Sequence, residues 1–140
     1  MGQTWQAVLS SEAVTPLSGQ LVIRDLVLPE LLGEATTELT YWAGRALARK
    51  LPVAESDLAT TMAQLGFGAL SLKADKGASR DYLLSGQVVA ARLALDAQAD
   101  FRLEAGFLAQ SLQQALNVPC EAAVMAAKRD QVKLQVSIDA

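Results

Sequence analysis

The sequence predicts an α+β fold: N-terminal helices, a β-hairpin, a long helix and a second hairpin. Three observations predict it. Residues 101–117, FRLEAGFLAQSLQQALN, carry the strongest helical period in the chain. At roughly 100° per residue, Phe101, Ala105, Leu108, Leu112, Ala115 and Leu116 fall in one wide apolar arc. Near the C-terminus, Val132, Leu134, Val136 and Ile138 alternate with Lys133, Gln135, Ser137 and Asp139, the period of a half-buried strand. Between these and the N-terminal helical stretches, Leu70, Leu72 and Ala74 alternate with Ser71 and Lys73 ahead of the turn run DKGAS at 75–79. Tyr82 and Leu84 share a face beyond it, which makes a hairpin.

The elements follow in order. Residues 1–16 are polar and end at Pro16, so a flexible arm is expected there, ahead of a single domain over 17–140. From Leu17 the spacing Leu17, Leu21, Asp25, Leu28 and Leu32 is helical, and Val22 and Leu26 widen the stripe. Pro29 should end or kink this helix because it removes an amide donor, and Gly33 is a plausible stop. Thr36 or Thr37 can cap a second helix that runs to about Leu51, before Pro52. Its apolar face reads as Leu39, Trp42, Ala43, Ala46, Leu47 and Leu51, with Tyr41, Arg45 and Arg49 on another side. Gly44 and Ala48 form a notch where a second backbone could come close, which would offset the cost of about 1 kcal/mol that glycine carries in mid-helix.

A third helix over about 55–65 presents Leu58, Met62 and Leu65 and closes at GFG, 66–68. The stretch GQVVAARLALD from Gly86 reads as a short helix, with a third strand as the alternative. In the long helix Leu103 and Phe107 extend the apolar surface, so cover is expected on more than one flank. Arg102, Gly106, Gln110, Gln113 and Asn117 fall opposite the arc. Residues 118–128 stay open: Pro119 and the alanines have helix-start character, yet Cys120, Ala122, Val124 and Ala126 alternate. KRDQ at 128–131 makes a serviceable turn into the final strand.

Bulk composition bounds the function. The 140 residues suit one domain, in which about 68% of the unfolded surface is buried. With 51% hydrophobic and 19% charged residues, the chain is globular rather than disordered. A net charge of −3 gives no general attraction to nucleic acid or anionic lipid. One cysteine excludes an internal disulfide and fits a reducing compartment. The first residues lack a signal peptide's basic start, and Gln6 stands where myristoylation needs Ser or Thr. No run of about 18 apolar residues occurs, so the expectation is a cytoplasmic protein without a transmembrane segment.

The segments RDLVLPELLGE, YWAGRALARKLP, GFGALSL and FRLEAGFLAQSLQ, in this order from Gln20 onward, resemble the signature blocks of the YslB-like family. These are small cytosolic proteins of low-GC Gram-positive bacteria without an assigned activity. The family's fold is similar to the ligand-binding domain of 4-vinyl-reductase-type proteins and TRAPP trafficking subunits. That resemblance implies one antiparallel four-stranded sheet packed on the helices and a strand in 118–128. It also implies dimerisation through helices and, in several such proteins, an apolar or effector ligand. The zinc site of some 4-vinyl-reductase-type domains cannot be carried over to a chain with one cysteine and no histidine.

Absences then narrow the chemistry. Without histidine there is no imidazole base and no His-metal or His-haem site. No GxSxG, P-loop or dinucleotide fingerprint is present, and GFG at 66–68 reads as a helix end. No cofactor or metal is expected. Cys120 has no histidine to activate it and reads as a buried strand residue. Arg45, Arg49 and Lys50 read as a solvated or dimer-bridging face. Glu104 stands inside the apolar arc, where a carboxylate is costly unless paired, and Arg92 or Arg45 are its candidate partners. Tyr41, Trp42, Arg45, Arg92, Glu104 and Phe107 are therefore the candidate ligand-binding residues. The reading is a non-enzymatic homodimeric binding or adaptor protein with a small apolar or amphipathic ligand between helices and sheet. A small enzyme using Glu104 with Arg92 or Arg45 is the alternative.

Overall fold

The computed structural model describes residues 17–139, and the arm expected over 1–16 lies outside the described residues. The described chain opens on an almost unbroken helical run. α1 (Leu17–Val22) passes through a π-helical turn, Ile23–Val27, into α2 (Leu28–Leu32). A 3-10 turn, Gly33–Ala35, then leads into α3 (Thr36–Lys50). The expected break at Pro29 takes the form of the π-turn. Proline cannot donate to the carbonyl four residues back and its ring would crowd it, so the coil widens and the Leu28 amide donates to the Ile23 carbonyl instead. Pro29 then sits in the first turn of α2, where no amide is needed.

Two local expectations are corrected here. Val22 and Leu26 do not widen the inward stripe but face outward, and 17–32 contains no fully buried residue. Neither Thr36 nor Thr37 caps α3, because the Thr36 hydroxyl donates to the Gly33 carbonyl at 2.5 Å rather than accepting an amide.

α3 presents a different face from the expected one. Thr40, Tyr41, Gly44, Arg45 and Ala48 are buried, whereas Leu39 and Ala43 are exposed and Trp42 is 53% exposed. Backbone contact decided the orientation. α3 crosses the long helix, α6 (Arg102–Leu116), at a pair of glycines, and a Cβ on Gly44 would lie 2.1 Å from the Leu103 carbonyl oxygen. A Cβ on Gly106 would lie 2.0 Å from the Tyr41 carbonyl oxygen. Gly106 and Gln110, assigned by the helical wheel to the polar side, are consequently buried. Every residue from Glu104 to Leu112 is buried, because α3 covers one flank and the sheet another. α6 stops at Asn117, which is left-handed at φ 57° and is soon followed by Pro119.

After α3 come a 3-10 turn (Glu55–Asp57), α4 (Leu58–Gln64), the hairpin β1 (Ala69–Asp75) and β2 (Ser79–Ser85), then α5 (Gln87–Leu95). β3 (Cys120–Lys128) and β4 (Gln131–Ile138) form the second hairpin, which settles 118–128 towards strand. The four strands make one antiparallel sheet in the order β1-β2-β4-β3. Register pairs Leu84 with Val132 and Tyr82 with Leu134, while Ala122 faces Val136. These residues are buried together with Leu108 and Leu112 of α6 in the core. Each fully buried leucine or valine among them contributes about 1.5–3 kcal/mol. Both edge strands carry an irregularity, at Leu72/Ala74 in β1 and Val124/Ala126 in β3, and such bulges blunt a sheet edge against further pairing.

Candidate functional site

The π-turn fixes the site. It turns the consecutive residues Arg24 and Asp25 of one helix towards α5 and α6. Arg24 donates from Nη1 to Glu104 Oε2 at 2.8 Å and from Nη2 to Oε1 at 2.6 Å, a fork-to-fork pairing. Arg92 on α5 grips Asp25 in the same way, from Nε to Oδ2 at 2.9 Å and from Nη2 to Oδ1 at 2.8 Å. Its Nη1 lies 3.4 Å from Glu104 Oε2 and closes the quartet. Both arginines also donate to the Asp100 carbonyl, at 2.9 Å from Arg24 and 2.5 Å from Arg92. The Arg92 guanidinium lies 4.4 Å from the centre of the Phe101 ring, a favourable cation–π distance. The Asp100 carboxylate accepts the Thr40 hydroxyl at 2.7 Å and the Arg102 amide at 3.1 Å. Glu104 and Arg92 are each only 2% exposed, so neither charge could be tolerated without these partners.

Beside the quartet, under α1 and the π-turn, lies a cavity of about 340 Å³. Leu21, Ile23 and Leu28 form its N-terminal wall, and Leu65, Phe67, Val88 and Leu103 face them. Arg24, Arg92 and Glu104 make its polar end, and Gln20 also lines it. Among the described residues no three of His, Cys, Asp and Glu come together in a way that could hold a metal ion.

The predicted residues therefore divide. Glu104 and Arg92 meet at the cavity, joined by Arg24 and Asp25, which were not singled out. Phe107 is buried behind them, in edge contact with Phe67 at 5.9 Å between ring centres. Trp42 projects outward. Arg45 does not pair with Glu104 and is not solvated. It is buried in a second cluster, where it donates to the Cys120 carbonyl at 2.8 Å and to Gln113 Oε1 at 2.7 Å. Tyr41 belongs to that cluster too, donating to Glu121 Oε2 at 2.5 Å and accepting the Ala122 amide at 3.2 Å. These bonds fasten α3 and α6 to the start of β3. Cys120 is buried there, and burial raises its thiol pKa.

Burial, and after it the hydrogen bond with Glu121, raises the Tyr41 phenol above its ordinary range. The folded phenol holds its proton more tightly than the unfolded one. Its stabilising contribution is therefore complete below about pH 10 and is lost as pH rises through the folded value. Urea unfolding is expected to show lower stability at about pH 11 than at about pH 8, and Tyr41→Phe should flatten that decline. An identical decline in the variant would assign it to other groups, such as Tyr82, whose phenol burial also raises.

The family described as "Protein of unknown function (DUF2507)" matches residues 17–137. The chain is 33% identical over 120 residues to "Uncharacterized protein YslB" of Bacillus subtilis (strain 168), which covers 84% of this chain and 81% of that protein. Among solved structures it is similar to a vinyl-4-reductase family protein from Methanocaldococcus jannaschii. The TM-score is 0.65 over 96% of this chain and 88% of the other, at 14% sequence identity. At that identity the likeness shows a shared fold.

Proposed function

The chain belongs to the DUF2507 family of proteins of unknown function, and on that premise we propose a non-enzymatic homodimeric binding protein of the cytoplasm. It acts as an adaptor that holds a small apolar or amphipathic ligand under its N-terminal helix. The observation that carries this reading is the cavity of about 340 Å³, with its apolar walls and its polar end at Arg24, Arg92 and Glu104. Pockets of this size and lining are the usual form of small-molecule sites. Catalysis is disfavoured by the same geometry. Both oxygens of Glu104 are engaged by arginines, so the carboxylate is poorly placed to take a substrate proton. Arg45, the other candidate partner, belongs to a different cluster.

Dimerisation is supported by the outward sides of the N-terminal helices. Val22, Leu26, Val27 and Leu31 are exposed there, Leu31 to 73%, and Leu39 and Trp42 continue the series on α3. Apolar side chains gathered in this way mark interaction surfaces. Light scattering on the purified protein is expected to give twice the mass of one chain, with Leu26→Glu shifting it towards one. Native mass spectrometry followed by organic extraction should recover a stoichiometric apolar molecule. A monomer at micromolar concentration would remove the dimer, and a protein whose cavity takes up no apolar molecule at all would remove the binding role.

A further inference from the structure

We infer that the cavity under the N-terminal helix selects an uncharged amphiphile, such as an alcohol or amide on an alkyl chain, over a fatty acid or an alkylamine. This rests on the binding reading above and specifies the ligand class. The argument is one of charge balance. Arg24, Asp25, Arg92 and Glu104 sum to zero formal charge. Each of the four carboxylate oxygens accepts from a guanidinium: the two of Glu104 from Arg24, and the two of Asp25 from Arg92.

An anionic head group entering this site meets no unmatched positive charge. The N–H groups that Arg24 leaves unused belong to a guanidinium whose charge Glu104 already balances, so the desolvation of an anionic head group is not offset by a free counter-charge. An ammonium head group faces the same difficulty in reverse, since Arg24 and Arg92 already hold the carboxylates. A hydroxyl or amide needs no counter-charge. It can hydrogen-bond to an edge of the quartet, or to the Gln20 amide that also lines the cavity, without moving any ion. The alkyl chain then lies against Leu21, Leu28, Phe67 and Val88, where burying apolar surface drives binding.

The test uses the full chain and displacement of 1-aminoanthracene, an uncharged fluorophore, by decanol, decanoate and decylammonium at neutral pH below their micelle concentrations. Decanol is expected to displace the probe at about ten-fold lower concentration than either ion. Asp25→Asn removes one negative charge and leaves Arg92 unbalanced, so the decanoate midpoint should fall about ten-fold relative to that of decanol measured on the same variant. Arg24→Gln unbalances the quartet in the opposite sense and should favour decylammonium. Thermal melts establish that each variant is folded. If one is not, the wild-type order and the other variant still decide. Decanoate binding as tightly as decanol to the wild type, or unmoved relative to decanol in a folded Asp25→Asn protein, would overturn the inference and leave the cavity's binding role standing. Failure of the fluorophore and all three amphiphiles to bind saturably would instead overturn that role, and the inference with it.

Discussion

Glu104→Gln is expected to lower the unfolding free energy by about 3–5 kcal/mol, the cost of removing one partner from a buried ion pair. The substitution keeps the shape of the side chain. It removes the charge that balances Arg24 at 2.6 Å and Arg92 at 3.4 Å, and it turns an amide NH₂ towards guanidinium donors that need acceptors. Arg92 retains Asp25, so the greater loss falls on Arg24 and on the attachment of α1 and α2. A second substitution separates this mechanism from simple loss of packing. Arg24→Met combined with Glu104→Leu removes both charges together and should recover much of the loss, since an apolar replacement of a buried pair is often nearly neutral. Urea unfolding curves measure both, with the slope checked for constancy so that midpoints can be compared. Near-wild-type stability in Glu104→Gln, accompanied by loss of a bound small molecule, would make Glu104 a ligand contact rather than a structural partner.

What could be read in advance depended on whether the deciding interaction was local. Strand β4 was legible because its neighbours on either face are fixed by a period of two, and Val132, Leu134 and Val136 are the residues that became buried. The first hairpin was legible through its turn, DKGAS, whereas residues 118–128 stayed open between helix and strand until the resemblance favoured a strand, and α5 was read as a short helix with a strand as the alternative. The buried face of α3 was not. Counting apolar residues favours Leu39, Trp42 and Ala46, whereas the contact that orients the helix is made by Gly44, whose lack of a side chain gives it no weight in such a count. The notch formed by Gly44 and Ala48 was visible, but its partner, Gly106, lies 62 positions along the chain by simple subtraction of the residue numbers.

The candidate site was half legible for the same reason. A carboxylate in an apolar arc demands a partner, which pointed to Glu104 and to Arg92 as one of two choices. Arg24 was missed, although Leu21, Arg24 and Leu28 share helical spacing and the stripe already included Asp25. That pattern places a positive and a negative charge on the inward side of one helix, a usable sign of a paired cluster. Arg45 was placed wrongly because the acceptors that bury it, the Cys120 carbonyl and Gln113, come from the other end of the chain. No regularity around Arg45 itself carries that information.

Gly106→Ala, which adds a single methyl group, is expected to cost about 3 kcal/mol, near the upper end for overpacking a core. The same change in an exposed helix usually stabilises, because alanine is the better helix former by about 1 kcal/mol. Here the new Cβ would stand 2.0 Å from the Tyr41 carbonyl oxygen and 3.1 Å from the Arg45 amide nitrogen. Those atoms belong to a helix backbone and cannot rotate aside, so α3 and α6 must move apart. Separation would also loosen the bonds that Arg45 and Tyr41 make to β3, which spreads the damage from the crossing to the sheet. Gly19→Ala provides the control. It lies in α1 with nothing within 4 Å of the added carbon, so this variant should be as stable as the parent or slightly more so. Parallel thermal melts should therefore show opposite signs, with a fall of about 10 °C in Gly106→Ala. Should Gly106→Ala melt at or above the parent temperature, the helices do not cross backbone to backbone at this position.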